Sequence, residues 1–441
     1  MVDLHALLRG PVMGLGLIYT ASAVAQQSPP AETFAVHGEF TYVEQEDSGF
    51  NAPYSGTNSL TPEQGRETAD VGLSIGAALW SGAQVWIDPE LDQGFGLNDT
   101  LGVAGFPSGE AYKIGSRQPY FRLQRLFVRQ TLDGAGEREP VAAAAGTLGG
   151  DQGVNRWVFT LGKFAVTDIF DNNQYAHDPR ADFLNWAAID AGTFDYAADA
   201  WGYTLGAAAE RYQGTWAIRA GAFDLSDVPN SARLERGFDE FQIVAELEHR
   251  HSIGGHPGKL LLSAFESRGR MGLLDQAIAL AAVTGTPADV AAVRSYRGRF
   301  GAAVNLEQEL TADLGLFIRL GKATGNVEAY EFSDIDRSVA AGLALQGAAW
   351  GRRGDTVGVA LIDDGISAER EQYLNVGGLG ILIGDGRLPH PGAEEIAETY
   401  YSAAVGSFAH LSLDYQRIEN PAYNHDRGPV SVFAVRMHVE F

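Results

Sequence analysis

The 441-residue sequence contains no cysteine. That excludes a disulfide framework, a cysteine zinc site and a cysteine nucleophile. It is poor in positive charge: 32 Lys and Arg stand against 56 Asp and Glu, a formal net charge of -24. A nucleic-acid binder needs a basic footprint, and none is here. Also missing is any uninterrupted apolar run of the ~20 residues that a helix needs to cross a bilayer. The most apolar helical stretch, Ala277 to Val283, is far too short. There is no HExxH, no P-loop and no dinucleotide fingerprint. The sequence therefore gives no reason to expect a metal or a cofactor.

What is present points to strands. Fifty-four Gly accompany 22 Phe, 16 Tyr and 7 Trp, and 45% of the residues are hydrophobic. This excludes a disordered chain and fits many strands and turns better than helices. By length alone, at roughly 150 residues per domain, the chain would hold two or three domains. The composition does not resemble several packed cores, so residues 26–441 are read as one unit.

Residues 1–25 read as a signal peptide. Arg9 supplies the positive start, weakened by Asp3, and Val12 to Ala25 form the apolar stretch and its exit. Ala23-Val24-Ala25 matches the small-x-small cleavage pattern, which places the cut before Gln26. An exported chain without an apolar helix can cross a membrane only with strands.

A period of two recurs along the chain. At the C-terminus, Phe433, Val435, Met437, Val439 and Phe441 share one face, against Ala434, Arg436, His438 and Glu440. Val71, Leu73, Ile75, Ala77 and Leu79 oppose Gly72, Ser74, Gly76 and Ala78. Leu314, Leu316, Ile318 and Leu320 oppose Gly315, Phe317, Arg319 and Gly321. Such alternation marks a half-buried strand. Sixteen strands are predicted, starting near 34, 69, 83, 118, 155, 200, 214, 239, 259, 297, 312, 336, 355, 396, 408 and 430. Connections near 81, 211, 251, 308, 349 and 406 are short. Those at 45–68, 88–117, 165–198, 268–296 and 364–395 are long. The Gly/Ala-rich stretch 133–154 breaks the rule and reads as a floppy turn. Helical segments are predicted over Asp182 to Ala191 and Met271 to Ala282.

Short turns on one side and long loops on the other are the layout of an all-β, sixteen-stranded antiparallel transmembrane barrel. Apolar residues then face lipid, and Gly, Ser, Gln, Arg and Glu face a wet lumen wide enough for a channel. A soluble sandwich or propeller would also alternate. The even strand count, the charge on successive inward faces and the terminal Phe441 favour the barrel.

Catalytic signals are weak. Gly72-Leu73-Ser74-Ile75-Gly76 matches a nucleophile elbow, but lies in a flat strand rather than a strand-to-helix turn. His249, His251 and His256 fall in a turn and read as solvated. Parity puts Arg125 and Arg129 on one inward face with Phe127, and turns Arg219 and Arg319 inward as well. Inward Arg, carboxylates and aromatics suit sugar hydroxyls and ring faces. They equally suit a transverse charge field in a general pore.

Three blocks carry a family resemblance: Gln93 to Thr131, Gly162 to Glu210 and Asp414 to Phe441. The second holds the series GKF, DPR, FLNW and DYAADAWGY. In these residues the chain resembles the carbohydrate-selective outer-membrane porins of the OprB type. The resemblance implies a sixteen-stranded barrel with inward-folded loops. It implies a constriction of Arg and acidic residues favouring monosaccharides such as glucose, and a monomer or trimer. Carried onto this sequence, Glu90, Arg125, Arg129, Lys163, Asp178 and Arg180 become constriction candidates, with Arg219 and Arg319 added by parity. The acidity is a departure. In the lumen it would favour cations, making a general or cation-preferring porin the alternative. In loops, at Glu44, Glu46 and Asp47 or Glu394 and Glu395, it would hold divalent cations with lipopolysaccharide. The reading is a passive sugar channel of the bacterial outer membrane and not an enzyme.

Overall fold

The computed structural model describes residues 31–112 and 114–441. The predicted signal peptide and its cleavage site lie outside them. Sixteen strands form one closed antiparallel barrel among the described residues. They are β1 (Phe34–Asp47), β2 (Gly65–Trp80), β3 (Ala83–Gly94), β4 (Ser116–Asp133), β7 (Arg156–Phe164), β8 (Thr204–Gln213), β9 (Trp216–Asp224) and β10 (Phe241–Ile253). They continue as β11 (His256–Met271), β12 (Ser295–Thr311), β13 (Leu314–Ala323), β14 (Arg337–Gln346), β15 (Thr356–Gly365), β16 (Glu394–Val405), β17 (Ala409–Glu419) and β18 (Val430–Glu440). Every predicted start falls within four residues of an observed one. The ring closes at β1, where Phe40 pairs with Val71 on one side and Val439 on the other.

The stretch 133–154 corrects the sequence reading. It is not a floppy turn but an ordered hairpin of β5 (Arg138–Val141) and β6 (Gly150–Gly153), paired to each other and outside the barrel sheet. Three α-helices sit in the long loops among the described residues. The first, α1 (Trp186–Ile189), is one turn of the longer segment expected there. The second, α2 (Leu274–Thr284), ends where Gly285 takes a left-handed backbone, the usual conformation of a helix stop. The third, α3 (Ala368–Asn375), starts at Ser367, whose hydroxyl accepts the Arg370 N–H.

The outward face is apolar. Leu73, Leu161, Ile218, Leu361, Leu413 and Phe433 are all exposed, which is the lipid band such a barrel requires. Trp80, Trp157, Trp216, Phe408 and Phe441 stand exposed at the short-turn ends, where aromatic girdles form.

The inward face is not uniformly polar, contrary to expectation. On β13 to β18, Phe317, Ala340, Ala360, Ile362, Ile396, Tyr400, Ile418, Val430 and Val432 are buried against loop residues. Val103, Phe106, Phe183, Trp186, Phe332, Leu374 and Ile383 supply the loop side. The long loops therefore fold inward and pack as a hydrophobic core on one half of the wall. Glycines make room for rings on this inner surface. Gly76, Gly206, Gly301, Gly342 and Gly358 each pair across the ladder with Trp86, Phe223, Phe265, Phe317 and Tyr400, respectively. In each pair the ring covers the glycine so closely that a Cβ would lie 2.1–2.4 Å from it. Glu394 is buried, accepting the N–H groups of Ala104, Gly105 and Ala422. It is thus a loop anchor rather than the surface cation site expected. Asp47 is likewise buried, whereas Glu44 and Glu46 face outward.

Candidate permeation pathway

The loop core leaves open the lumen along the opposite wall. Two cavities lie there. One, of ≈ 500 Å³, is bounded by β1 to β4 and the loop 165–203. The other, of ≈ 1280 Å³, opens among the short turns and is lined by residues such as Ser81, Arg156, Tyr212 and Lys259. Both are lined by Arg129, Thr147 and Asp168. We call the first cavity the outer chamber, the second the inner vestibule, and the residues they share the waist.

The cationic side of the outer chamber comes from β4. Its sequence carries a bulge: Asp88 pairs with Arg125 but Pro89 pairs with Leu123, leaving Gln124 as the extra residue. A bulge adds one residue and resets the alternation. Arg125, Phe127 and Arg129 therefore face inward as parity predicts. Arg122 also turns inward, opposite the buried Glu90, although parity counted from Arg125 aims it at lipid. The signal is visible in hindsight: outward Phe121, Leu123, Leu126 and Val128 skip one place between 123 and 126.

Each of these cations has a fixed partner. Arg125 grips Asp168 with two parallel bonds, Nε to Oδ2 at 2.8 Å and Nη2 to Oδ1 at 2.7 Å. Burial pushes the Asp168 carboxyl upward, but the Arg125 guanidinium wins and holds it below the usual range. Arg125 also faces the Tyr203 ring at 4.9 Å. Arg129 donates to the Gly146 carbonyl at 2.6 Å. Behind the lining residues, Arg122 lies 3.5 Å over the Trp201 ring and bonds Asp199 at 2.8 Å. Lys163 meets the same Asp199 at 3.1 Å and the Leu123 carbonyl at 3.0 Å. Arg122 and Lys163 thus form a second row that positions Asp199, Trp201 and Tyr203, which do line the chamber.

The facing side is acidic. Arg180 reaches from the loop 165–203 into four carboxylates: Glu39, Glu110 at 2.9 Å, Glu90 at 3.4 Å and Asp70 at 3.5 Å. Asp178 beside it lines the chamber and its carboxylate accepts the Arg180 N–H. Glu90 and Arg180 both line the chamber, and Arg180 latches the loop to the wall. Ser74, the centre of the elbow-like motif, stays in β2 and donates to Asp88 at 2.9 Å.

Two candidates lie elsewhere. Arg219 belongs to the inner vestibule, where Glu210, Glu246 and Glu248 saturate it at 3.1, 2.8 and 2.6 Å. Arg319 faces inward but is only 1% exposed. It donates to the carbonyls of Ala176 and Ala188 at 2.8 and 2.7 Å and pairs with Asp171. It pins the loop and lines neither cavity. Of the histidines, His249 packs on Trp216, while His251 and His256 meet Gln308 and Glu309.

Residues 57–441 match the carbohydrate-selective porin, OprB family. The high-pH structure of Pseudomonas putida OprB superposes with a TM-score of 0.70 at 15% identity, over 93% of this chain and 94% of that one. Its low-pH structure gives 0.49 at 13% identity, over 93% of each. OccAB1 of Acinetobacter baumannii gives 0.48 at 11%, over 92% and 96%. None of the curated proteins matches the chain. A closed barrel, a lumen narrowed by its own loops and a match over nearly all of the described sequence agree: this outer-membrane channel belongs to the OprB family of carbohydrate-selective porins.

Proposed function

We propose that the channel passes small neutral carbohydrates, monosaccharides such as glucose, by passive diffusion. One observation carries this reading. The outer chamber sets the Trp201 and Tyr203 rings beside Arg125, Asp168, Asp199 and Glu90. Aromatic faces cover the apolar faces of a sugar ring, and charged groups bond its hydroxyls more strongly than neutral ones do. The charges are mostly paired with one another, so they bind hydroxyls weakly and let go. Fast release is what conduction requires. Glu90, Arg125, Arg129, Asp178 and Arg180 are the proposed solute contacts, with Lys163 positioning them from behind. Arg219 is proposed to act in the vestibule, and Arg319 through the loop it holds.

A second reading rests on the acidic side of the same chamber. Glu39, Glu90, Glu110 and Asp178 line it, which favours a general or cation-preferring pore. Ion conductance in a planar bilayer, titrated with glucose, separates the two. The sugar channel is partly blocked at millimolar glucose, and Arg125→Ala, which also frees Asp168, weakens the block about tenfold. A conductance indifferent to sugars, with a reversal potential favouring cations, supports the second reading instead.

A further inference from the structure

The connection from β4 to β7 lies on the short-turn side, which faces the periplasm in such barrels. A turn there needs only a few residues, since Asp133 and Arg156 are already paired. This one runs up into the lumen and ends in a tight tip, where Ala144 and Thr147 exchange both backbone bonds at 3.1 and 2.9 Å. We propose that this hairpin is the exit-side half of the constriction: its tip, 145–147, limits solute size from the periplasmic side and fixes Arg129 across the waist.

The placement of the tip carries this. Ala145, Gly146 and Thr147 line the outer chamber, and Thr147 lines the vestibule too. Thr147 therefore stands where the two cavities adjoin. The tip is small by sequence, with Ala142 to Ala145 followed by Gly146, whose φ of +75° is a left-handed turn conformation. It comes close to the pathway without filling it.

The tip is also held rigidly. Arg129 donates to the Gly146 carbonyl at 2.6 Å, Gly146 N–H to Ser74 at 3.3 Å, and Leu148 N–H to the Gln84 side chain at 3.2 Å. Leu148 is buried with Trp86 and Phe127. From outside, Glu32 clips the hairpin through two bonds to Gly149, at 2.9 and 2.8 Å. A segment tied to β2, β3, β4 and Glu32 ahead of β1 keeps a fixed position in the waist. Arg129 would otherwise swing on its flexible stem, and the Gly146 carbonyl sets its direction.

The inference needs only the channel and not the identity of its solute, so it stands or falls apart from the sugar reading. The test uses the cysteine-free chain. Ala145→Cys then carries the one thiol, and a bulky cationic methanethiosulfonate added on the periplasmic side attaches to it. Single-channel conductance is expected to fall at least twofold on labelling. Replacing 137–152 by a short Gly-Asn turn is expected to raise conductance about twofold and to admit larger sugars in liposome swelling. A labelled Ala145→Cys channel with full conductance overturns the proposal. So does a thiol that reacts only after unfolding, or a shortened barrel that sieves like the parent. If the shortened barrel does not refold, the cysteine result decides alone.

Discussion

Single residues shape the inner wall by size. Tyr400 lies over Gly358, and a Cβ at that glycine would meet the ring at 2.1 Å. Overpacking of this kind costs roughly 1–3 kcal/mol. Gly358→Ala is therefore expected to lower the unfolding temperature of the detergent-solubilised barrel, whereas Gly351→Ala, with open space around its Cβ position, loses only what its positive φ imposes. An unchanged unfolding temperature in Gly358→Ala would show that the ring contact contributes nothing. Legibility at this scale was uneven. Arg125 and Arg129 followed from parity because no bulge separates them. Arg122 did not, because alternation carries information only until an extra residue resets it. Arg319 was read as facing inward, and it does. Its loss to the pathway depends on a loop far away in sequence, which no periodicity encodes.

At the scale of elements, buried charges hold the loop 165–203 in the lumen. Asp182 accepts the N–H groups of His177 and Asp178, each at 3.1 Å. Burial, and then the neighbouring Asp178, push its carboxyl up to about 6. Burial likewise raises Glu110. A carboxyl that holds its proton more tightly when docked stabilises docking at low pH and loses that contribution as pH rises toward its docked value. His177 acts oppositely: burial and then Arg319 lower its pKa, so docking resists its protonation. Between pH 4 and 6 the Asp182 contribution fades, and Asp182→Asn should reduce the pH slope of the unfolding temperature across that window. An unchanged slope would remove Asp182 from this account. The sequence announced the strands and the long-loop side clearly, because period two persists for ten or more residues. It reads wrongly over the hairpin stretch 133–154, as a floppy turn. Alanine and glycine show no face, and the anchors, Leu148 and Glu32, become visible only once the barrel has closed.

Taken whole, the molecule divides its lumen lengthwise into a packed half and an open half. Phe183 typifies the packed half, fully buried between Phe317 and Tyr400 with ring centres 5.4 and 5.0 Å away. Deleting such a ring costs about 3–5 kcal/mol. That is enough to free a loop but acts on contents that the hydrogen-bonded wall does not need. Phe183→Ala should keep the barrel resistant to detergent unfolding. It should also let protease cut within 165–203 and raise open-channel noise. A protease-resistant, quiet variant would show that the loop is held by its ion pairs alone. This division was not legible in advance. Apolar residues on both faces of β13 to β18 read as ordinary alternation until the loops that cover one face are in place.

Ala31 and Glu32 stand at the rim of the inner vestibule, and Glu32 holds the hairpin. A group attached at either residue would stand at this rim. An affinity tag or reporter fused there would work as an unintended stopper or as a wedge on the clip. A recording from such a fusion would describe the attachment as much as the pore. Insertions in the exposed stretch 236–239 are the sound way to mark this protein.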